Sequence, residues 1–186
     1  VSDAEWFGLP ACGNGIWVAG GNRGRVARST NAIDWQWSGT GHTNQLSETS
    51  FAGGVFAATG ADGTLLTSAD GRSWTRCALD TTNTLGHFAW HGGVFIVAEV
   101  GTAVLFTSND LIGWSRRPMP TNVTAIVELT TWPEGFVALV ATTTYGVYDL
   151  LRSTDGQSWR AETPPSDHLS RIAAGGGRLV AFRGDG

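Results

Sequence analysis

Short apolar runs alternate with glycine-containing polar stretches along the whole chain, and no apolar run keeps a helical period. The pattern is clearest in the second of its repeating units, where strands are predicted at 46–52, 55–59, 64–68 and 73–79. The two middle strands are apolar on both faces, as at Leu65 and Leu66. A strand buried on both sides belongs to a sheet with neighbours stacked on each face. The pattern therefore predicts an all-β protein of stacked four-stranded antiparallel sheets.

Two sequence markers recur together along the chain. In the first marker, which we call the Ser–Trp turn, a serine is followed six residues later by a tryptophan. The four Ser–Trp turns are STNAIDW (29–35), SADGRSW (68–74), SNDLIGW (108–114) and STDGQSW (153–159), with serines 39, 40 and 45 residues apart. The second marker is a glycine before an apolar strand, at Gly15, Gly54, Gly93, Gly135 and Gly177, with spacings of 39, 39, 42 and 42 residues. Two markers with one period predict a repeated supersecondary unit.

The composition of the Ser–Trp turn suits a tight connection between the third and fourth strands of each unit. Asp70 can accept hydrogen bonds from backbone N–H groups two residues on. Gly71 can adopt a backbone conformation that a side chain would resist, and Ser68 can bond across the turn. Trp74 is large enough to fill the wedge between adjacent sheets. We therefore expect each turn to pin one sheet to its neighbour.

These turns resemble Asp-box, or BNR, repeats, whose pattern is Ser-x-Asp-x-Gly-x-Thr-Trp. The matching residues are Ser68, Asp70, Gly71, Ser73 and Trp74, and again Ser153, Asp155, Gly156, Ser158 and Trp159. Each match is one residue shorter than the family pattern. The other two turns are degenerate and keep Ser29, Asn31 and Trp35, and Ser108, Asp110 and Trp114. The style of these repeats is also similar to that of phage tail-associated and secreted bacterial repeat proteins.

The resemblance implies a β-propeller, with four-stranded antiparallel blades of about 40 residues. We expect a single propeller over 1–186, with four full blades at about 3–40, 41–80, 81–120 and 121–164 and half of a fifth blade at 165–186. Half a blade leaves an unpaired strand edge, which is unfavourable in isolation. The expectation is therefore a longer chain or a larger assembly.

Composition excludes several classes of function. The net charge is −4 and the pI about 5.5, which argues against a nucleic-acid partner. Cys12 and Cys77 are the only cysteines and the four histidines are scattered, so neither a metal site nor a cofactor is predicted. No apolar run approaches the roughly 20 residues of a membrane span, so no membrane insertion is expected.

Antiparallel order decides which turns share an edge of each sheet. The Ser–Trp turns lie with the first-to-second turns, so Asp70 and Asp155 are predicted to be structural. The opposite edge carries the second-to-third turns and the connections between blades, including Asn44, Asn83, Asn122 and Asp167. The candidate ligand-binding residues of that edge are Arg23, His42, Asp62, Tyr145, Tyr148 and His168. Tyr145 and Tyr148 could stack on a sugar face or form an apolar lid over the blade.

Two short motifs suggest functions that their positions within the repeat do not support. RGD at 183–185 aligns with the second-to-third turn of the other blades, so an integrin ligand is not favoured. RGRVAR at 23–28 is the densest basic stretch, and we interpret it as a solvated strand edge.

Three functions remain open. The favoured one is a non-catalytic binding or structural module that recognises a glycan or a protein partner. We expect it to be extracellular, on a virion (phage tail fibre, spike or decoration protein) or on a cell surface. A homo-oligomer or a larger assembly is also expected. The second is a sialidase-like glycoside hydrolase. The resemblance would then imply an arginine triad, an Arg-Ile-Pro motif and a nucleophilic tyrosine with a glutamate partner. The chain has no Arg-Ile-Pro sequence, and Glu128 and Glu134 lie in strands that precede the loop of Tyr145. The third is a scaffold for protein assembly.

Overall fold

The computed structural model describes residues 7–144, 148–162, 169–175 and 178–183. The chain divides into two compact units, Val1–Gly86 and His87–Gly186. Within the described residues the regular structure consists of strands and one short 3₁₀ turn, Asn22–Gly24. The strands of the first unit are β1 (Ala11–Gly13), β2 (Ile16–Gly20), β3 (Arg25–Ser29), β4 (Gln36–Gly39), β5 (Leu46–Ala52), β6 (Val55–Gly60), β7 (Thr64–Ser68) and β8 (Thr75–Arg76). Those of the second unit are β9 (Leu85–His91, which begins in the first), β10 (Val94–Glu99), β11 (Val104–Ser108), β12 (Ser115–Pro118), β13 (Val123–Trp132), β14 (Gly135–Thr142), β15 (Tyr148–Ser153), β16 (Arg160–Glu162), β17 (Leu169–Gly175) and β18 (Arg178–Arg183).

The strands form antiparallel sheets in chain order. Sheets 1 and 2 are β1–β4 and β5–β8, sheets 3 and 4 are β9–β12 and β13–β16, and β17 pairs with β18. The prediction of successive four-stranded antiparallel sheets is confirmed. The fourth strand of sheet 2, Thr75–Arg76, is shorter than its predicted span of 73–79. It begins after Ser73 because the backbone N–H of Ser73 bonds the Asp70 carboxylate rather than the sheet.

The middle strands of each sheet carry the core. Every residue of β7 is buried, whereas both residues of β8 are exposed. In the first unit, Val18 and Val26 of sheet 1 pack with Phe56 and Leu66 of sheet 2. Sheets 3 and 4 share an equivalent core, and a further cluster joins sheet 4 to β17 and β18. Apolar residues on both faces of the middle strands thus produce sheets stacked on sheets.

The Ser–Trp turns close through hydrogen bonds to one serine and one acidic side chain. In the second turn, Asp70 Oδ1 accepts the N–H groups of Arg72 and Ser73 at 2.8 and 2.9 Å, and the Ser68 hydroxyl at 3.0 Å. Ser68 Oγ in turn accepts the N–H of Gly71 at 2.9 Å. The turns at 108–114 and 153–159 repeat this arrangement. In the first turn the amide oxygen of Asn31 replaces the carboxylate.

Two of these turns pack directly on the preceding sheet of their own unit. Gly71 has φ +68°, and a Cβ there would meet Val18 Cγ2 of sheet 1 at 2.7 Å. Gly156 has φ +71°, and a Cβ there would meet Ile96 Cδ1 of sheet 3 at 2.7 Å. The space against the preceding sheet therefore requires glycine at these two positions, since Ala32 and Leu111 adopt a similar positive φ at the equivalent positions of the other turns.

The four tryptophans of the turns do not share one environment. Trp74 packs against the core of sheets 1 and 2, and Trp159 against that of sheets 3 and 4. Trp35 and Trp114 instead donate their indole N–H groups to carbonyl oxygens of their own turns at 3.2 Å. The tryptophan thus serves inter-sheet packing at Trp74 and Trp159 and bonds its own turn at Trp35 and Trp114.

Candidate functional site

The second-to-third turns of sheets 1 and 2 are bonded to the connections that follow each sheet. The N–H of Gly24 donates to the carbonyl oxygen of Asn44 at 2.9 Å, and that of Gly63 to the carbonyl oxygen of Asn83 at 2.9 Å. In the second unit, the N–H of Thr143, in the second-to-third turn of sheet 4, donates to the carbonyl oxygen of Asn122 at 2.9 Å, but Asn122 lies in the connection that precedes that sheet. These three asparagines recur at intervals of 39 residues. This spacing is a sequence signal for anchored turns.

In the first unit, Asn44 joins the two turns to each other. Its carbonyl oxygen accepts the N–H of Gly24 in the turn of sheet 1, and its side-chain Nδ2 donates to Thr64 Oγ1 of sheet 2 at 2.9 Å. A Cβ on Gly24 would overlap the carbonyl oxygen of His42, so only glycine fits there. Residues 22–24, 40–45 and 61–64 therefore form one continuous surface, which we call the Asn44 ledge.

The Asn44 ledge presents two charged side chains from constrained backbone. Arg23 has φ +57° and Asp62 has φ +53°, and both side chains are exposed. They occupy equivalent turn positions 39 residues apart. A left-handed conformation at a non-glycine residue costs of order 1 kcal/mol and is concentrated at functional positions. The ledge thus places a cation and a carboxylate on turns whose backbone is fixed.

The other predicted ligand residues are distributed differently. His42 is half-buried on the Asn44 ledge, where its backbone N–H donates to Thr40 Oγ1 at 3.3 Å. Tyr148 lies in β15 and packs against the apolar cluster of sheet 4 and β17–β18. Tyr145 and His168 lie outside the described residues, as do Asp167 and two residues of the RGD motif. The structure therefore brings Arg23, His42 and Asp62 together on one ledge.

A concave surface lies at the edge of sheet 4 that carries its Ser–Trp turn, opposite the edge of its second-to-third turn. This groove has a volume of about 400 Å³, and we call it the Arg152 groove. Its polar and aromatic lining includes Trp132, Glu134, Arg152, Asp155, Arg160 and Glu162. The guanidinium carbon of Arg152 lies 3.8 Å from the centre of the Trp132 ring, a cation–π contact, and Arg152 Nε lies 3.6 Å from Glu162 Oε1. Sequence reasoning missed this groove, although Arg152 precedes Ser153 just as Arg28 precedes Ser29.

The acidic side chains of the Ser–Trp turns are held in their ionised form. The N–H groups of Ser158 and then Gln157 lower the pKa of Asp155 to about 2. The pKa of Asp70 is likewise lowered, first by the N–H of Ser73 and then by that of Arg72. Hydrogen bonds donated to a carboxylate favour its charged form. These groups are consequently poor proton donors near neutral pH.

Two glutamates of the second unit are engaged within the fold. Glu128 Oε2 accepts the backbone N–H of Ile172 at 2.7 Å, which links sheet 4 to β17. Glu99 is 2% exposed at the end of β10, and Thr102 Oγ1 donates to its Oε2 at 3.1 Å. Sequence reasoning did not single out Glu99. Both contacts give these carboxylates structural partners.

Metal and membrane features are absent from the described part of the chain. Among residues 7–144, 148–162, 169–175 and 178–183, no group of three or more His, Cys, Asp or Glu side chains could hold a metal ion. Over the same ranges, no helix has the length and apolarity that crossing a membrane requires.

Comparison with known proteins gives structural relatives only. No protein-family model matches the chain, and no curated protein sequence does. Among solved structures, the computationally designed Ika8 protein shares 12% identity and a TM-score of 0.67, covering 95% of this chain and 55% of that one. A chain of the mitotic checkpoint complex shares 15% identity with a TM-score of 0.66, covering 95% and 58%. YCF48 bound to D1 peptide shares 11% identity with a TM-score of 0.65, covering 93% and 59%.

The fold is that of a β-propeller. The chain spans a little over half the length of the three relatives, at 55%, 58% and 59%. At these identities the likeness establishes the arrangement of strands. The four-stranded sheets described above are accordingly blades, and β17–β18 are the first two strands of a further one.

Proposed function

We propose that this chain is a non-catalytic β-propeller module that binds a polypeptide partner through the Asn44 ledge. The observation that carries the proposal is that Arg23 and Asp62 are exposed and are each held at positive φ on turns that Asn44 bonds together. Non-glycine residues in left-handed backbone cluster at functional sites, which supports the choice of these two positions. Fixed turns also reduce the entropy lost on binding.

Chemistry favours a polypeptide over a glycan at this ledge. The described residues 22–24, 40–45 and 61–64 include no Phe, Tyr or Trp to stack on a sugar ring. Exposed side chains of opposite charge on the two turns, Arg23 and Asp62, suit a segment that carries both charges. Two of the structural relatives also support a polypeptide partner, since YCF48 is bound to D1 peptide and the other relative belongs to the mitotic checkpoint complex.

The absence of catalysis is part of the proposal. Asp70 and Asp155 have lowered pKa values that suit turn closure, and Glu128 is bonded to backbone.

The hydrogen bonds of the Ser–Trp turns support the Asp-box assignment made from the sequence. That resemblance also supports an extracellular or virion setting, which a virion or secretome localisation experiment would test.

A paired stability and binding experiment tests the ledge. Peptides selected from a random display library on the immobilised chain are measured against the wild type and against Arg23→Gly, Asp62→Gly and the double variant. Glycine relieves the positive φ at both positions, so the variants should remain folded. Binding should nevertheless fall at least tenfold in the double variant.

The control is Arg116→Gly, an exposed arginine on β12. It should leave peptide binding unchanged. Peptides that bind the double variant as well as the wild type would contradict the proposal. A parallel glycan array that yields specific glycans, with no selected peptide, would contradict it in favour of sugar recognition.

A further inference from the structure

The hairpin between β1 and β2 turns through two exposed residues, Asn14 and Gly15. Gly13 pairs with Ile16 directly across the turn. Asn14 has φ +51° and Gly15 has φ +71°, which are the two positive values of a type I′ turn. The chain's one Asn-Gly dipeptide therefore lies at the exposed tip of this hairpin.

An Asn-Gly dipeptide has the chemistry for spontaneous deamidation. The backbone nitrogen of the glycine loses its proton to hydroxide and attacks the side-chain amide carbon of the asparagine. The new carbon–nitrogen bond closes a five-membered succinimide, and the asparagine Nδ2 leaves as ammonia. Water then opens the ring at one of its two carbonyl carbons, which gives aspartate or isoaspartate. A glycine favours this reaction because it has no side chain to shield its nitrogen.

The backbone nitrogen of Gly15 is accessible for this attack. Among the described residues, its N–H donates no hydrogen bond, and the Asn14 side chain makes none either. A Cβ built on Gly15 would meet no atom within 4 Å. The attack requires the backbone of Asn14 to rotate out of its left-handed conformation, and no hydrogen bond of these two residues opposes that rotation.

The three Asp-Gly dipeptides within the described residues differ in this respect. Gly63 donates its N–H to a carbonyl oxygen of the following connection at 2.9 Å. Gly71 and Gly156 donate theirs to the serine hydroxyls of their own turns at 2.9 and 2.8 Å. Each of these nitrogens must lose a hydrogen bond before it can attack. The reaction is therefore expected first at Asn14.

The two products of the reaction affect the hairpin differently. Aspartate keeps the length of the main chain, and Asp62–Gly63 shows that an aspartate fits a turn of two left-handed residues, with φ +53° and +61°. Isoaspartate routes the main chain through Cβ and so adds one atom to the two-residue loop. The longer loop no longer matches the turn geometry that pairs Gly13 with Ile16.

The position of β1 leaves little room for a longer loop. A Cβ on Gly13 would overlap the ring of Phe51, so the backbone of β1 lies directly against sheet 2 at this point. Ala11 is buried in the core that sheets 1 and 2 share. β1 has three residues and, among the described strands, pairs only with β2. A shift at Gly13 therefore acts directly on the contact with sheet 2.

We propose that Asn14 is a deamidation site and that its isoaspartate product loosens β1 from sheet 2. The reaction consumes one water and releases one ammonia, and hydroxide is its only catalyst. Modified chains therefore accumulate with time. The site lies at the edge of sheet 1 that carries the Ser–Trp turn, opposite the Asn44 ledge, so it does not depend on the function proposed for the ledge.

Ageing of the full chain at pH 8 and 37 °C tests the site. Tryptic peptides are followed by mass spectrometry, and cleavage after Arg23 releases the peptide that contains Asn14. A gain of about 1 Da is expected in that peptide before any other, and electron-transfer fragmentation should show mostly isoaspartate. Gly15→Ala should slow the gain at least tenfold, because its methyl group shields the nitrogen and meets no neighbouring atom.

Hydrogen exchange separates the effects of the two products. The isoaspartate form should lose protection at 11–13, whereas Asn14→Asp should keep it. Repair of the isoaspartate by an isoaspartyl methyltransferase should restore the protection. An unchanged mass of the Asn14 peptide after four weeks would overturn the proposal. So would equal rates in the wild type and Gly15→Ala, or full protection of 11–13 in the isoaspartate form.

Discussion

The Nε–H of Arg28 in β3 donates a 2.9 Å hydrogen bond to the backbone carbonyl oxygen of Asp70, in the Ser–Trp turn of the following sheet. Arg28 thus holds a turn whose own shape is set by the Asp70 carboxylate. The turn is both a local connection and an inter-sheet contact. Substitutions can separate these two roles.

Substitution of Gly71 should reveal the inter-sheet contact. Gly71→Ala places a Cβ at positive φ and 2.7 Å from Val18 Cγ2, so it should cost about 2–4 kcal/mol in the free energy of unfolding. Gly54→Ala is the matched control, because Gly54 has φ +82° with no atom within 4 Å of the added Cβ. It should cost only about 1 kcal/mol. Urea unfolding measures both, and equal costs would contradict the contact.

The ionised Asp155 should make stability depend on pH. The N–H groups of Ser158 and Gln157 lower its pKa from 3.8 to about 2 in the folded chain. The carboxylate therefore stabilises the fold above about pH 4, and this contribution is lost as the pH falls toward 2. Asp155→Asn should be only mildly destabilising at pH 7, since Asn31 fills the equivalent position with an amide.

Urea midpoints of the wild type and Asp155→Asn between pH 6 and pH 2 provide the measurement. The difference between the two proteins should shrink as the pH falls below 4. A difference that stays constant over this range would show that the carboxylate charge does not stabilise the turn.

Strand positions were largely predictable from residue patterns in the second sheet. The predicted strands 46–52 and 64–68 coincide with β5 and β7, and 55–59 falls one residue short of β6. Alternation and turn residues are local signals, so they report these strands directly. The predicted strand 73–79 is reduced to β8, Thr75–Arg76. Its later start reflects the hydrogen bond from the Ser73 N–H to Asp70, which belongs to a turn geometry that composition alone does not fix.

The candidate site was only partly predictable. Antiparallel order places Arg23 and Asp62 on the same edge, so their turns could be grouped from the sequence. The bridging role of Asn44 could not, because it depends on the direction of one side chain between two sheets. The stacking of Arg152 on Trp132 joins residues on separate strands and needed the three-dimensional register.

The indole of Trp74 should contribute by packing rather than by hydrogen bonding. Its Nε1 is buried without a hydrogen-bond partner within the described residues. Trp74→Phe should therefore cost under about 1 kcal/mol, whereas Trp74→Ala should cost about 2–3 kcal/mol. Trp35→Ala is the comparison, because the Trp35 indole N–H bonds the Ala32 carbonyl oxygen within its own turn. This substitution should lower the free energy of unfolding by about 1 kcal/mol. Equal losses for Trp74→Ala and Trp35→Ala would contradict inter-sheet packing by Trp74.

The carboxylate of Glu128 should control the attachment of β17 to sheet 4. Glu128→Ala removes the acceptor for the Ile172 N–H and should speed hydrogen exchange at Ile172 at least tenfold. Glu128→Gln keeps an oxygen acceptor and should retain most of the protection. Unchanged exchange in Glu128→Ala would show that this contact does not hold the strand.

The central claim is that Ser–Trp turns fix each sheet to the preceding one within a unit. The most direct measurement is a methyl-resolved nuclear Overhauser spectrum of the intact chain. The account predicts cross-peaks from the Gly71 Hα atoms to the Val18 methyl groups and from the Gly156 Hα atoms to the Ile96 δ1 methyl, since a Cβ at either glycine would lie 2.7 Å from the named side chain. Assigned spectra that lack both sets of cross-peaks, with the strands intact, would contradict it.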